Sequence, residues 1–362
     1  MVIYRKYRPQ KFSEVIGQDG VIRVLESEIK QGRISHAYLF TGPRGLGKTT
    51  VSRLMAKAVN CENRKEGESE PCNKCQSCLD IMSGRHFDLI ELDAASQTGV
   101  DNVRENIIAY SRLTPTRGKY KVFIIDEVHM LSTSAFNALL KTLEEPPAYV
   151  IFILATTEIH KLPETIISRC QRFNFARVSL SEITERLKRI AKEEKIKIDE
   201  KILKVIASRS GGCVRDAESL FSQILALEDD NVVTSEEAEL VMPSSQTEYL
   251  IEMLELLFKK DTSEGVRKIN QLIEEGIDLE QFVLEMIEFL RKLLLIKIDA
   301  IDKEFYWQYD DAMGKKIKEL AEKSELSQLI LAIEEFISAK TKVDYVEIPQ
   351  LPVELAILKI CE

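Results

Sequence analysis

The chain has 362 residues, 44% of them hydrophobic and 30% charged, enough apolar material for two or three domains that each bury a core. No run of about 18 apolar residues occurs and no secretory leader opens the chain, so no membrane contact is expected, and a cytoplasmic, soluble protein with reduced thiols is. The net charge of −9 is uneven: residues 1–178 carry 25 Lys+Arg against 20 Asp+Glu, and the remainder 25 against 39, so any nucleic-acid contact belongs to the first part.

Residues 2–18 read as a basic arm followed by a turn. Ala37 to Phe40 is a short buried strand, and the run from Thr41 to Thr50 leads from it into a helix predicted over Lys48 to Val59. Within that run Gly42, Gly45, Leu46, Gly47, Lys48 and Thr49 form G-x-x-x-x-G-K-T, the pattern of a phosphate-binding loop. In such a loop, successive backbone N–H groups and the helix N-terminus, up to Thr50, cradle the phosphates. Lys48 reaches the β- and γ-phosphates, and the Thr49 hydroxyl ligates magnesium.

Cys61, Cys72, Cys75 and Cys78 follow, one thiol reached over ten intervening residues and three spaced C-x-x-C-x-x-C. Four thiolates can close a tetrahedral zinc site with no position open for substrate, so such a site is structural. An iron–sulfur run would want a further Cys and a Pro where this chain has Leu79 to Met82. A redox C-x-x-C pair would leave two cysteines unexplained, and the polar flanks argue against four unrelated core thiols. Cys170, Cys213 and Cys361 are isolated, and the last two read as ordinary packing residues.

Further strands are predicted over Asp88 to Leu92, Lys121 to Ile125 and Val150 to Ala155, and strands alternating with helices imply a parallel sheet covered on both faces. Asp126 and Glu127 leave the second of these at the carboxyl edge, where Asp126 can hold magnesium and Glu127 can polarise an attacking water. Thr156 ends the third and is a candidate γ-phosphate sensor, against the alternative of an ordinary strand-end threonine. Arg169, in Ser168-Arg169-Cys170, is either a solvated charge or, in ATPases that work as rings, a guanidinium inserted into a neighbour's site.

Ser179 and Glu182 have capping-box spacing at the start of a helix reaching about Glu194. Helices over Asp199 to Ser210 and Val214 to Leu227 flank Gly211-Gly212, and a short one covers Ser235 to Val241, giving a small helical lid. Beyond residue 243 the apolar stripes Leu250, Met253, Leu254, Leu257; Ile269, Leu272, Ile273; and Phe282, Met286, Leu290, Leu293 to Leu295 predict an all-helical segment. The expected domains are therefore 1–178, 179–242 and 243–362.

The arm V-I-Y-R-K-Y-R-P-Q-K-F-S-E-V-I-G-Q at 2–18, the loop G-P-R-G-L-G-K-T-T, the cysteine knuckle, D-E-V-H at 126–129, A-L-L-K-T-L-E-E-P-P at 138–147 and L-P-E-T-I-I-S-R-C at 162–170 together resemble the gamma/tau subunits of bacterial DNA polymerase III. The likeness rests on motifs up to about residue 242 and on length and helical pattern thereafter. It implies an α/β AAA+ P-loop ATPase domain with an inserted four-cysteine zinc knuckle, then a helical lid and an all-α collar that holds subunits together. Longer family members continue into a tail that binds polymerase and helicase.

The resemblance also implies a clamp-loader ATPase using ATP, Mg²⁺ and Zn²⁺. Its partners would be delta, delta-prime and further gamma/tau copies, a sliding clamp, and primer–template DNA. Residue by residue, Lys48 and Thr49 match the Walker A pair, Asp126 and Glu127 Walker B, Thr156 sensor 1, Arg169 the trans-acting arginine finger and Arg215 the sensor 2 arginine. Tyr7, Arg8 and Pro9, with Val15 and Ile16, match the segment around the adenine, and Cys213 departs mildly from the family's usual residues before Arg215. Ser96 to Asp101, Arg104 and Lys141 are candidates for contact with a DNA backbone. Two rival classes are another ring-forming AAA+ motor, which would not be expected to carry this knuckle, and a non-catalytic nucleotide sensor, against which intact Gly47-Lys48-Thr49 and Glu127 argue.

Overall fold

Two of the strands are apolar up to a closing threonine, which is possible only where both faces of a sheet are covered. In the computed structural model, which describes residues 2–96, 104–227, 231–242, 245–300, 311–343 and 345–362, β1 (Ala37–Thr41) and β4 (Val150–Thr156) are buried at every position, and β3 (Lys121–Asp126) at all but its last. With β2 (Leu89–Asp93) and β5 (Gln171–Asn174) at the edges they form a parallel sheet in the order β2-β3-β4-β1-β5. Alternation along each strand separates two cores. Tyr38, Phe40, Val122, Ile124, Ile151 and Ile153 meet Val51, Leu54 and Met55 on one side, while Leu39, Phe123, Ile125, Phe152 and Leu154 meet Phe136, Leu139 and Leu143 on the other.

Register decides what the carboxyl edge offers. Thr41 pairs with Thr156 and Asp93 with Asp126, so the loop leaving β1 lies one strand from Thr156 and two from Asp126. Strand starts match expectation except that β2 begins one residue late: Asp88 precedes it as a fully buried carboxylate. Asp88 accepts backbone N–H groups from Thr116 and Arg117 at 2.8 Å and Gly118 at 2.9 Å, closing the turn that feeds β3.

The chain divides into two compact units, Met1–Asn231 and Val232–Glu362. The first includes the expected lid helices, Leu180–Glu194 with its Ser179–Glu182 capping box, Glu200–Arg209 and Val214–Ile224. Arg186 and Glu218 join two of them by a buried ion pair of 3.1 Å. The helix Ser235–Val241, grouped with the lid by sequence, falls in the second unit. That unit is helical, and the expected stripes, from Leu250 and Met253 through Ile269 and Leu272 to Phe282, Met286, Leu290 and Leu293, form its core together with Cys361. Among the described residues no helix is long and apolar enough to cross a membrane.

Burial raises the Asp88 carboxyl's pKa, but the N–H donors of Gly118, Thr116 and Arg117 outweigh it and hold the group below its ordinary value. A depressed carboxyl stabilises the fold above its unfolded pKa and loses that contribution as pH falls through the folded one. Asp88→Asn should therefore cost about 2–3 kcal/mol at neutral pH, because an amide presents N–H to N–H. In urea unfolding followed against pH, the gap between wild type and variant should narrow below about pH 4.

Candidate functional site

The phosphate loop is shaped by what closes in on it. Gly42 (φ 138°) sits against the Phe175 carbonyl, and Gly45 (φ 79°) against the Cys213 sulfur, so that a Cβ at either position would collide. Gly47 (φ 94°) turns the chain into the helix Lys48–Asn60 and leaves its first N–H groups directed at the loop. Cys213, read from sequence as a packing residue, is buried as expected, and its S–H donates to the Arg44 carbonyl at 3.3 Å, tying the lid to the loop. Burial pushes the Cys213 thiol up to about 11, so it stays protonated and able to donate.

A cavity of about 430 Å³ opens beside the loop. Gly45 to Thr50, Asp126 and Glu127 line one end, Arg8, Pro9, Val15 and Ile16 from the arm another, and Arg215 enters from the lid. The Thr49 hydroxyl donates to Asp126 Oδ2 at 2.6 Å, so these two hard oxygen ligands, 77 residues apart in the chain, share one point in space. Lys48 is buried and donates to the Gly42 and Pro43 carbonyls at 2.6 and 2.8 Å. Burial lowers its pKa, while Glu127 and Asp126 pull the other way. Arg8 is likewise lowered, first by burial and then by the like charge of Arg53.

Glu127 adopts a left-handed backbone (φ 46°), and its Oε2 accepts from the Thr157 N–H at 3.3 Å and the Thr157 hydroxyl at 3.0 Å. Thr156 is instead fully buried behind it, its hydroxyl 3.0 Å from His129 Nδ1 and accepting the Glu158 N–H at 3.0 Å. His129 Nε2 lies 3.3 Å from Glu158 Oε1. Sequence reading did not single out Thr157 or His129, although residues of a strand point alternately to opposite faces and only one of two consecutive threonines can face Glu127.

Tyr7 and Thr156 do not line the cavity, and neither does Gly42, whose carbonyl holds Lys48. Tyr7 contributes its carbonyl to Arg186. Tyr4, Arg186 and Glu218 do line it, and the Arg215 guanidinium stacks 4.9 Å from the Tyr4 ring centroid. Arg169 lies away from the cavity on the surface, donating to the Thr165 carbonyl at 2.8 Å and to Glu144 at 2.5 Å. Of the candidate DNA contacts, Ser96 and Lys141 are exposed, whereas residues 97–101 and the Arg104 side chain lie outside the described residues.

The four cysteines form a second centre, their sulfurs all within 4.8 Å of one another. Cys61 and Cys75 sulfurs are 4.0 Å apart, close to the ~3.8 Å edge of a tetrahedron with 2.3 Å zinc–sulfur bonds. Backbone N–H groups point at the sulfurs, Lys74 and Cys75 at Cys72 and Cys72 at Cys61, as negative thiolates require. Against the effect of burial, the N–H groups of Lys74 and Cys75 lower the Cys72 thiol to about 6, while burial and its neighbour Cys75 raise Cys78. Neighbouring thiolates repel, and a dication at their centre removes that obstacle, so the donor set fits zinc.

A strand, a glycine-rich loop and a helix carrying Lys48 and Thr49, facing Asp126 and Glu127 at the carboxyl edge of a parallel sheet and covered by a helical lid, define a P-loop nucleotide-binding protein of the AAA+ class. Family profiles match along the chain: DNA polymerase III delta subunit over residues 17–179, DNA polymerase III clamp loader subunit ATPase lid domain over 182–229, and DNA polymerase III subunits gamma and tau domain III over 233–362. The DNA polymerase III subunit tau of Bacillus subtilis is 40% identical over 364 residues, covering 99% of this chain and 63% of that one. The gamma subunit of Buchnera aphidicola subsp. Baizongia pistaciae is 34% identical over 359 residues, 99% of this chain and 96% of that one. The chain belongs to the DNA polymerase III gamma/tau subunit family. It spans 55–63% of the length of the tau subunits from Escherichia coli and B. subtilis. The Thermotoga maritima RuvB Holliday junction branch migration motor shares the fold at 20% identity, with a TM-score of 0.50 over 70% of this chain and 79% of that one.

Purified protein should contain about one zinc per chain and no iron. Removing the metal under reducing conditions should lower the thermal unfolding midpoint, since a closed four-thiolate site contributes folding energy. Metal analysis and a thiol titration of native protein check both statements; seven freely reactive thiols would count against them.

Proposed function

We propose that this chain binds and hydrolyses ATP as a subunit of a replicative clamp loader, coupling ATP to the opening of a sliding clamp and its placement on primer–template DNA. The observation that carries the reading is the convergence in one cavity of the phosphate loop, the Thr49–Asp126 pair, Glu127 and the lid's Arg215. Membership of the gamma/tau family, along 96% of the length of a gamma subunit, supplies the biological context. Delta, delta-prime, further gamma/tau copies and the clamp are the partners this reading assigns, in the cytoplasm and away from membranes. The work divides among a nucleotide-binding domain (1–178), a lid (179–231) and a collar (232–362).

In this reading Gly45, Gly47 and the first N–H groups of the loop helix receive the phosphates of ATP, and Lys48 exchanges its two carbonyl partners for phosphate oxygens. Arg8, Pro9, Val15 and Ile16 receive the base. Magnesium, when bound, neutralises charge between the phosphates, and Thr49 and Asp126 are the residues that would hold it. Glu127, oriented by Thr157, accepts a proton from the attacking water, and the His129–Thr156 pair braces that orientation from behind. Arg215 leaves the Tyr4 ring for the γ-phosphate and so reports occupancy to the lid. Arg169, displayed at the surface, completes the site of a neighbouring subunit.

Lys48→Ala should weaken ATP binding, whereas Glu127→Gln should retain binding and slow hydrolysis by about 10²-fold or more. An equilibrium binding assay beside a phosphate-release assay separates the two, and wild-type turnover by Glu127→Gln in the assembled loader would remove Glu127 from its role.

Arg169→Ala should bind ATP normally yet lose about 10³-fold in DNA-stimulated hydrolysis once assembled. When Lys48→Ala and Arg169→Ala subunits are placed in defined order, activity should survive if both lesions fall on one interface and vanish if they fall on two. Equal activity for the two orders would make Arg169 a surface charge.

A further inference from the structure

Lys57 stands about two and a half turns along the helix that begins at the phosphate loop, and it is only 2% exposed. A buried ammonium is costly unless its protons are satisfied and counter-charge is near. Its protons go to the Gln10 carbonyl at 3.0 Å, the Gln10 Oε1 at 2.7 Å and the Asn73 Oδ1 at 2.7 Å, all neutral acceptors. Burial lowers its pKa, and the first group that opposes this is Cys78, followed by Glu14, Glu70 and Cys61. Four thiolates around a dication carry negative charge in excess, and Lys57 is the cation buried beside them.

These bonds join two places the proposed function treats separately. Asn73 belongs to the knuckle, between Cys72 and Cys75, in a left-handed conformation (φ 57°), and its amide also donates to the Gln10 carbonyl at 3.0 Å. Glu70, two residues before Cys72, accepts the Phe12 and Ser13 N–H groups at 2.9 Å each. The knuckle thus grips the arm at positions 10, 12 and 13, while the residues on either side of that grip, Arg8, Pro9, Glu14, Val15 and Ile16, line the nucleotide cavity.

We propose that Lys57, Asn73 and Glu70 are positioning residues through which the four-cysteine centre sets the nucleotide-binding arm, so that zinc occupancy and nucleotide affinity are thermodynamically coupled. This rests on the reading of the cavity as a nucleotide site. With zinc bound, the Cys72–Cys75 turn is fixed and Asn73 is held against Gln10. Without it, the turn is released and the arm loses its alignment while the Walker loop stays intact. Coupling is reciprocal, so nucleotide must also tighten zinc.

The test uses the full chain and two ligands, a fluorescent magnesium–ATP analogue and zinc. Removing zinc with a zinc-selective chelator under reducing conditions, with circular dichroism confirming that helix content persists, should weaken nucleotide binding about tenfold. Saturating magnesium–ATP should raise zinc affinity, read by chelator competition, by the same factor. Asn73→Gly keeps the left-handed backbone and removes the amide, and Lys57→Met removes the buried charge. Each should weaken nucleotide binding in the zinc-loaded protein and shrink the further loss on zinc removal. Should Lys57→Met not fold, Asn73→Gly alone decides. Nucleotide affinity unchanged by zinc removal in wild type that binds nucleotide would overturn the coupling. Zinc-loaded wild type that binds no nucleotide would overturn the reading of the cavity itself and the coupling with it.

Discussion

A loop that is to hold phosphate must keep its backbone N–H groups bare, and in this chain that condition depends on two glycines being overrun by their neighbours. The Phe175 carbonyl occupies the space a side chain at Gly42 would need, and the Cys213 sulfur occupies it at Gly45. The first contact comes from the chain leaving β5 and the second from the mouth of a lid helix. The loop is therefore shaped from outside, by elements more than a hundred residues further on. A small residue at position 213 follows from the same crowding: a larger side chain would push the loop off the helix whose first turn presents Lys48 and Thr49.

From that loop outward the site is assembled by register. β4 lies between β1 and β3, so the hydroxyl of Thr49 reaches Asp126 across one intervening strand. The Glu127 carboxylate is then held by Thr157, the residue just past the strand between. A single parallel sheet brings together three short stretches, 42–50, 126–127 and 157, that lie far apart in sequence, and both faces of the sheet must be packed for the edge to be this well defined.

How much of this was legible beforehand follows from the range of the interactions. The phosphate loop, the acidic strand end and the four cysteines depend on spacing within a dozen residues or so, and spacing is what a sequence displays. The capping box at Ser179 and Glu182 and the stripes of the second unit are local for the same reason. Thr157 was hidden because two adjacent threonines read alike until the strand's facing is known. Tyr4 was hidden because its partner, Arg215, is more than two hundred residues away. Lys57 falls among Ala56, Ala58 and Val59 on the helix that also carries Lys48, and only the arm and the inserted knuckle, folding back over that face, convert it from a solvated charge into a buried one.

The arm that lines the cavity is made well before the lid it bonds to. The Ile3 N–H donates to the Ser222 hydroxyl at 3.2 Å, a separation of 219 residues. At synthesis rates of about 5–20 residues per second, roughly 10–45 s pass between the appearance of the two ends of that bond on the ribosome. For that interval the basic arm has the knuckle to join but not the lid. The arm's contacts with the lid, Ile3 to Ser222 and Tyr4 to Arg215, are thus ones the nascent chain acquires only after the lid has emerged, well behind the loop and the knuckle.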